Sequence, residues 1–313
     1  MQRWSSEWVH VVLQYAGVWL PGWPLWSRGG LWMPWLAAPR PAPRAAAPLA
    51  LLAQLELVEV QMRPQQAEVL ARCWPRRLRH VWLYRTGCDM SACLERPPPG
   101  ARSLCAGSPP SYSSPPLRQL RRQDLRLAAG WRPRGGWERL HTLILAEARP
   151  CVLSLCRSLR RAPALRKLCL DHNRMDSADA ERVAAALDAG AGPRGRAALR
   201  YLELGYNEIG AAGRLLATLA AWPALEYLGL GCNQIDRLPL RPMAALRELV
   251  IECNDLGPGA ARHIAGLLER GALPRLRVLD MEDNLMRAGE QPELVARLEK
   301  RLDEVTLTNG FFV

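Results

Sequence analysis

The sequence predicts a right-handed α/β solenoid, horseshoe-like, with a curved parallel sheet on its concave side and mostly helices on its convex side. Three observations carry that prediction. The spacing Leu-x-x-Leu-x-Leu-x-x-Asn recurs from residue 140 onward. Five of the six Asn in the chain fall at one position of that spacing. Repeat starts at 140, 165, 199, 225, 246, 276 and 302 lie 21 to 34 residues apart, and most of these intervals hold a strand plus a helix. With 313 residues and 49% hydrophobic content the chain can bury a sizeable core, which excludes a wholly disordered polypeptide.

Residues 1–48 are expected to form a poorly ordered extension rich in Trp and Pro. Seven of the twelve Trp lie in the first 35 residues: Trp4, Trp8, Trp19, Trp23, Trp26, Trp32 and Trp35. Residues 8–27 carry no formal charge and are long enough to cross a bilayer. Against insertion, Gly17, Pro21, Gly22 and Pro24 break a helix, and His10 and Gln14 lower its hydropathy. Membrane contact through this stretch is therefore the disfavoured reading.

Residues 49–96 read as degenerate repeats, because Leu52, Leu55, Leu57 and then Leu78, Val81, Leu83 keep the spacing without the Asn. Residues 97–139 read as a Pro/Ser-rich loop followed by a basic segment. The run from Pro97 to Pro116 is expected to hold no strand ladder, and Arg118–Arg139 to be a solvated linker. The net charge of +12 is concentrated here and upstream: residues 1–139 carry 19 basic and 8 acidic side chains, whereas 140–313 carry 23 and 22. Forty of the 42 basic residues are Arg in a chain with few Ile, Phe and Asn, a compositional skew that weakens a nucleic-acid reading of the charge.

Residues 140–313 are the repeat domain. Leu165, Leu168, Leu170, Asn173 and Met175 are echoed by Leu199, Leu202, Leu204, Asn207 and Ile209, then by Leu225, Leu228, Leu230, Asn233 and Ile235. Leu246, Leu249, Ile251, Asn254 and Leu256 follow, then Leu276, Leu279, Met281, Asn284 and Met286. Weaker copies start at Leu140, with Ala148 at the Asn position, and at Leu302, with Gly310 there. Helical spacing is expected over Ala178–Ala189, Ala211–Ala220, Gly259–Arg270 and Pro292–Leu302. The 225 repeat, with Pro239 and Pro242, is too short for a normal helix, and the 165 repeat carries an insertion around Gly190–Arg196. Phe311 and Phe312 are expected to cover the open end of the core.

This pattern resembles the leucine-rich repeat family, and Asn207-Glu208-Ile209-Gly210 and Asn254-Asp255-Leu256-Gly257 resemble its ribonuclease-inhibitor-like subclass. An Asn at the end of each strand, where the backbone turns inward, can satisfy buried N–H and C=O groups with the two ends of its amide. Asn173, Asn207, Asn233, Asn254 and Asn284 are the expected structural ladder. The resemblance implies a protein-binding solenoid. Within the subclass it also admits a GTPase-activating regulator resembling the Ran GTPase-activating protein, or an inhibitor that occludes a basic enzyme.

Catalytic motifs are absent from the sequence: it holds no phosphate-binding GxxxxGK[ST], HExxH, GxSxG or GxGxxG. No enzyme activity, cofactor or small-molecule substrate is therefore expected. The nine Cys are odd in number, contain no CxxC pair and point to a reducing compartment, the cytoplasm with the nucleus as alternative. Cys232, Cys253 and Asp283 share one repeat position, but three ligands in a straight column suit tetrahedral zinc poorly, so no metal site is expected.

The concave face carries the functional expectation. Its outward strand positions hold Lys167, Cys169, Asp171, His172; Tyr201, Glu203, Gly205, Tyr206; Tyr227, Gly229, Gly231, Cys232; Glu248, Val250, Glu252, Cys253; and Val278, Asp280, Glu282, Asp283. Seven acidic residues thus share the face with one Lys. Arg166, Arg200, Arg247 and Arg277 form a basic edge beside it. We expect Tyr201, Glu203, Tyr227, Glu248, Glu252, Asp280, Glu282 and Asp283 to contact another protein with a basic surface. Nucleic acid, repelled by this face, is disfavoured.

Overall fold

The computed structural model describes residues 10–12, 54–58, 71–72, 74, 78–84, 97–107, 137–147, 152–190, 198–286 and 292–307. The Trp cluster, most of the basic segment, the insertion after Gly190 and Phe311–Val313 lie outside these residues. Two compact units divide the chain, Met1–Ser154 and Leu155–Val313. Among the described residues no helix is long and apolar enough to cross a membrane.

In the first unit, β2 (Gln54–Val58), β3 (His80–Tyr84), β4 (Ser103–Gly107) and β5 (Thr142–Ala146) are parallel neighbours. Leu55 aligns with Val81, Val81 with Leu104, and Leu104 with Leu143; Leu83, Ala106 and Leu145 align one step further along. Period-two alternation therefore sends one set inward, and Val81, Leu83, Leu104, Ala106, Leu143 and Leu145 are fully buried.

Two expectations are corrected in this unit. The segment from Pro97 to Pro116 does hold a ladder strand, β4, which gives the repeat Ala101, Leu104, Ala106, all buried. Small Ala at two of the three apolar positions hid it, and Pro109 stands where an Asn would. Residues 1–48 also contribute a strand. β1 (His10–Val12) pairs antiparallel with β2, so this part of the extension covers a sheet edge rather than standing unpaired.

The second unit is a leucine-rich-repeat solenoid. Strands β6 (Lys167–Cys169), β7 (Tyr201–Glu203), β8 (Tyr227–Gly229), β9 (Glu248–Val250), β10 (Val278–Asp280) and β11 (Glu304–Thr306) run parallel in sequence order. Leu168, Leu202, Leu228, Leu249, Leu279 and Val305 stand in one register. Strands β6 to β10 are short because the chain turns inward at the Asn that lies four residues beyond the end of each.

Helices return the chain between strands. α1 (Val152–Leu159) precedes β6, α2 (Ser177–Gly190) follows β6, α3 (Gly213–Leu219) follows β7, α4 (Pro258–Glu269) follows β9 and α5 (Pro292–Glu299) follows β10. The Asp176 carboxylate accepts from the Asp179 N–H at 2.8 Å and caps the start of α2. α4 begins with Pro258 at its first position, and two residues beyond its end at Glu269 stands Gly271, whose φ of +70° permits the reverse turn. Ala272 N–H to Leu267 C=O at 2.8 Å and Gly271 N–H to Leu268 C=O at 3.0 Å close that terminus. No helix follows β8. Leu238, Leu240 and Met243 fill the layer there, and His263 on α4 hydrogen-bonds the Leu240 carbonyl at 2.8 Å.

Candidate functional site

Behind the concave face, the Asn ladder holds the surface in place. Asn207 Oδ1 accepts from the N–H groups of Asn173 and Met175, at 3.1 and 3.0 Å. Its Nδ2 donates to the carbonyls of Leu170, Leu204 and Gly205, at 3.1, 2.9 and 2.9 Å. Asn233, Asn254 and Asn284 repeat the arrangement, each donating to carbonyls of its own repeat and the one before. All five Asn are buried.

The residue before each Asn adopts the left-handed conformation: His172, Tyr206, Cys232, Cys253 and Asp283 have φ between 49° and 57°. Sequence reasoning placed these residues in one column but did not find this backbone state, which non-Gly residues adopt at some cost. They form a connected row on the face. The His172 and Tyr206 rings stack with centroids 4.0 Å apart, and Cys253 Sγ lies 3.8 Å from Asp283 Oδ2. Burial raises the pKa of Cys253 to about 12, with its Cys232 neighbour adding to the rise, so this thiol is protonated near neutral pH. Among the described residues no group of three His, Cys, Asp or Glu side chains could hold a metal ion.

A second column runs Lys167, Tyr201, Tyr227, Glu248, Val278, Glu304 across β6 to β11. Lys167 Nζ sits 3.9 Å from the centroid of the Tyr201 ring. The Tyr201 and Tyr227 rings stack at 4.0 Å with only 4° between their planes. Beneath them lies Glu203. Its Oε2 accepts from Tyr227 OH at 2.5 Å and from Tyr201 OH at 3.4 Å, while Oε1 accepts from the Gly205 N–H at 3.2 Å. Gly229 makes room for this: a Cβ there would overlap the Glu203 carboxylate. The expected contact residues Tyr201, Glu203 and Tyr227 are therefore one hydrogen-bonded assembly. Reading equivalent positions of successive repeats as a column would have linked them with Lys167.

Asp171 stands beside this assembly. Its Oδ2 accepts from Cys169 Sγ at 3.2 Å, and its Oδ1 is buried beside Gly205. Burial raises the pKa of both carboxyls above the usual range, and for Glu203 the neighbouring Asp171 charge adds to the rise. Farther along, burial also raises Glu248 and Glu252, the first helped by Glu304 and the second by Asp280 and Glu282.

The Arg edge differs from its expectation. Its column also contains Glu226 and Asp303. Arg200 meets Glu226 at 3.0 Å, Arg247 meets Glu226 at 3.8 Å and Arg277 meets Asp303 at 3.9 Å. Three of the four Arg thus have their counter-charge within the chain. The face beside them lacks that compensation: among the described residues, Glu203, Glu248, Glu252, Asp280 and Glu282 take part in no ion pair.

No family model and no curated protein sequence matches the chain. Its fold is similar to that of human 5T4 (trophoblast glycoprotein), with a TM-score of 0.51 and 20% identity over 80% of this chain and 87% of that one. Internalin C2 of Listeria monocytogenes aligns with a TM-score of 0.44 and 18% identity, over 84% of each chain. Both are leucine-rich repeat proteins. At these identities the likeness to 5T4 establishes the fold alone.

Proposed function

We propose that the repeat domain is a non-catalytic protein-interaction module whose concave face binds a partner with a basic surface. The observation that carries this reading is the set of half-buried carboxylates on that face that take part in no ion pair among the described residues, beside an Arg edge whose charges are largely paired. Like charges on adjacent strands cost stability, and a parallel sheet folds as well with Ser, Thr or Gln at these outward positions. A basic partner turns that cost into attraction and speeds association. Occlusion of a basic enzyme would use the same face and is one form of this function. The helix-bearing repeats around α2 and α4 support the ribonuclease-inhibitor-like form of the fold. The odd number of cysteines favours the cytoplasm or nucleus as the compartment.

The test is to recover partners by affinity purification from the native cell and to measure their affinity for the full chain. A second chain carrying Glu252→Gln, Asp280→Asn and Glu282→Gln together provides the comparison. Weaker binding with a flatter salt dependence is expected. Equal affinity at low and physiological salt removes the concave face as the binding site.

A further inference from the structure

The column Lys167, Tyr201, Tyr227, Glu248 runs cation, ring, ring, anion, an order that charge alone does not explain. The two rings lie on adjacent strands, nearly parallel, so their stacking axis runs from strand to strand across the sheet. One end of the stack is closed by the chain's own cation, Lys167 over Tyr201. The other end, the far face of Tyr227, looks toward β9, where the residue in register is Glu248. Glu248 belongs to no ion pair among the described residues, and Val278, the next residue in the column, supplies no charge.

The stack is also held rigid. Glu203 fixes both phenol groups from below and Gly229 leaves space for its carboxylate, so the ring face does not have to be ordered on binding. In its ionised form the Glu203 acceptor enriches the electron density of both rings and strengthens their attraction for a cation.

Resting on the basic-partner reading above, we infer that the far face of Tyr227 and the Glu248 carboxylate form a slot for a partner arginine side chain. The guanidinium stacks on the ring and donates to Glu248, with Glu252 and Glu304 adding to the negative field. A planar guanidinium can stack and donate from its edge at once, whereas a lysine ammonium offers a point charge without that planar match. The face therefore prefers arginine to lysine among segments of equal charge, and this preference distinguishes the slot from a purely electrostatic surface.

The experiment uses the full chain and three dye-labelled eight-residue peptides in which Gly alternates with Arg, with Lys or with neutral citrulline, read by fluorescence anisotropy. The Arg peptide is expected to bind more tightly than the Lys peptide, and citrulline to bind least. Tyr227→Leu is expected to weaken the Arg peptide about 3- to 30-fold, the range for a cation on an aromatic face, and the citrulline peptide by much less. Tyr227→Phe keeps the ring and is expected to retain the Arg preference. If Tyr227→Leu does not fold, Glu248→Gln replaces it: a larger loss for the Arg than for the Lys peptide is expected, and an equal loss for the two overturns the slot.

Equal binding of Arg and Lys peptides, or an equal effect of Tyr227→Leu on Arg and citrulline peptides, overturns the slot. If salt-dependent binding persists in those cases and is lost in the triple neutralisation variant, the broader reading stands without it. If no peptide binds in a salt-dependent way, both fall.

Discussion

Asn207→Ala removes five hydrogen bonds at once, but their loss is not equal. The Leu204 carbonyl keeps Asn233 Nδ2 at 3.1 Å, and the Gly205 carbonyl keeps the His172 N–H at 3.1 Å. The Asn173 and Met175 N–H groups and the Leu170 carbonyl lose the Asn207 bonds that tie one repeat to the next. Each buried bond lost in this way costs about 1–3 kcal/mol, so the substitution is expected to cost roughly 3–9 kcal/mol. That is a large part of the 5–15 kcal/mol that is typical for a whole domain. Urea unfolding of the full chain, followed by circular dichroism, measures it. Asn207→Asp refines the test. It keeps an acceptor for the two N–H groups but turns an anion toward carbonyls of Leu170, Leu204 and Gly205, which raises its folded-state pKa above the unfolded value of about 3.9. Its stability is therefore best below pH 4 and is lost as pH rises through the raised value. A loss below about 1 kcal/mol for the Ala variant, or an Asp variant with the pH profile of the wild type, would refute the reasoning.

Two further predictions concern the face and the hidden repeat. Burial pushes the Glu203 pKa up to about 7, so the stability its protonated form contributes is complete below the ordinary value of 4.5 and lost as pH rises through about 7. Glu203→Gln is expected to raise the melting temperature at pH 8 and change it little at pH 5; an equal shift at both pH values contradicts the assignment. Leu104 is fully buried in β4, so Leu104→Ala is expected to cost about 2–5 kcal/mol, against less than about 0.5 kcal/mol for a residue in a surface loop. Chemical denaturation separates the two.

The solenoid was legible because its signal is redundant. Leu168, Leu202, Leu228, Leu249 and Leu279 occupy one buried register, and an Asn-poor chain placed its amides where the backbone needs them. β4 was not legible, because Ala101 and Ala106 pack as well as Leu where space is small yet carry no pattern. β1 escaped for a related reason: three residues, His10–Val12, are too few for a periodicity to show. On the concave face the residue types could be read but not their connections. Tyr201, Glu203 and Tyr227 meet only through register, and the left-handed turns at Tyr206 and Cys232 come from the inward bend of the backbone rather than from any preference of those side chains. The neutralised Arg edge was missed because Glu226 and Asp303 were not counted in its column.

The amide clasps have a polarity along the chain. Asn207, Asn233, Asn254 and Asn284 each reach toward the preceding repeat, so each repeat from β6 to β9 is latched by a side chain belonging to its successor. The repeat containing β11 carries Gly310 at the position of that latch. Opening one clasp therefore frees backbone groups on its N-terminal side, and a chain pulled from its C-terminal end gives up its latches one at a time, in the order 284, 254, 233, 207. Pulling from the other end breaks the same clasps in the reverse order, beginning with Asn207. What differs is the scar: departure of a C-terminal repeat leaves bare backbone groups on its neighbour, whereas departure of an N-terminal repeat leaves a bare side-chain amide.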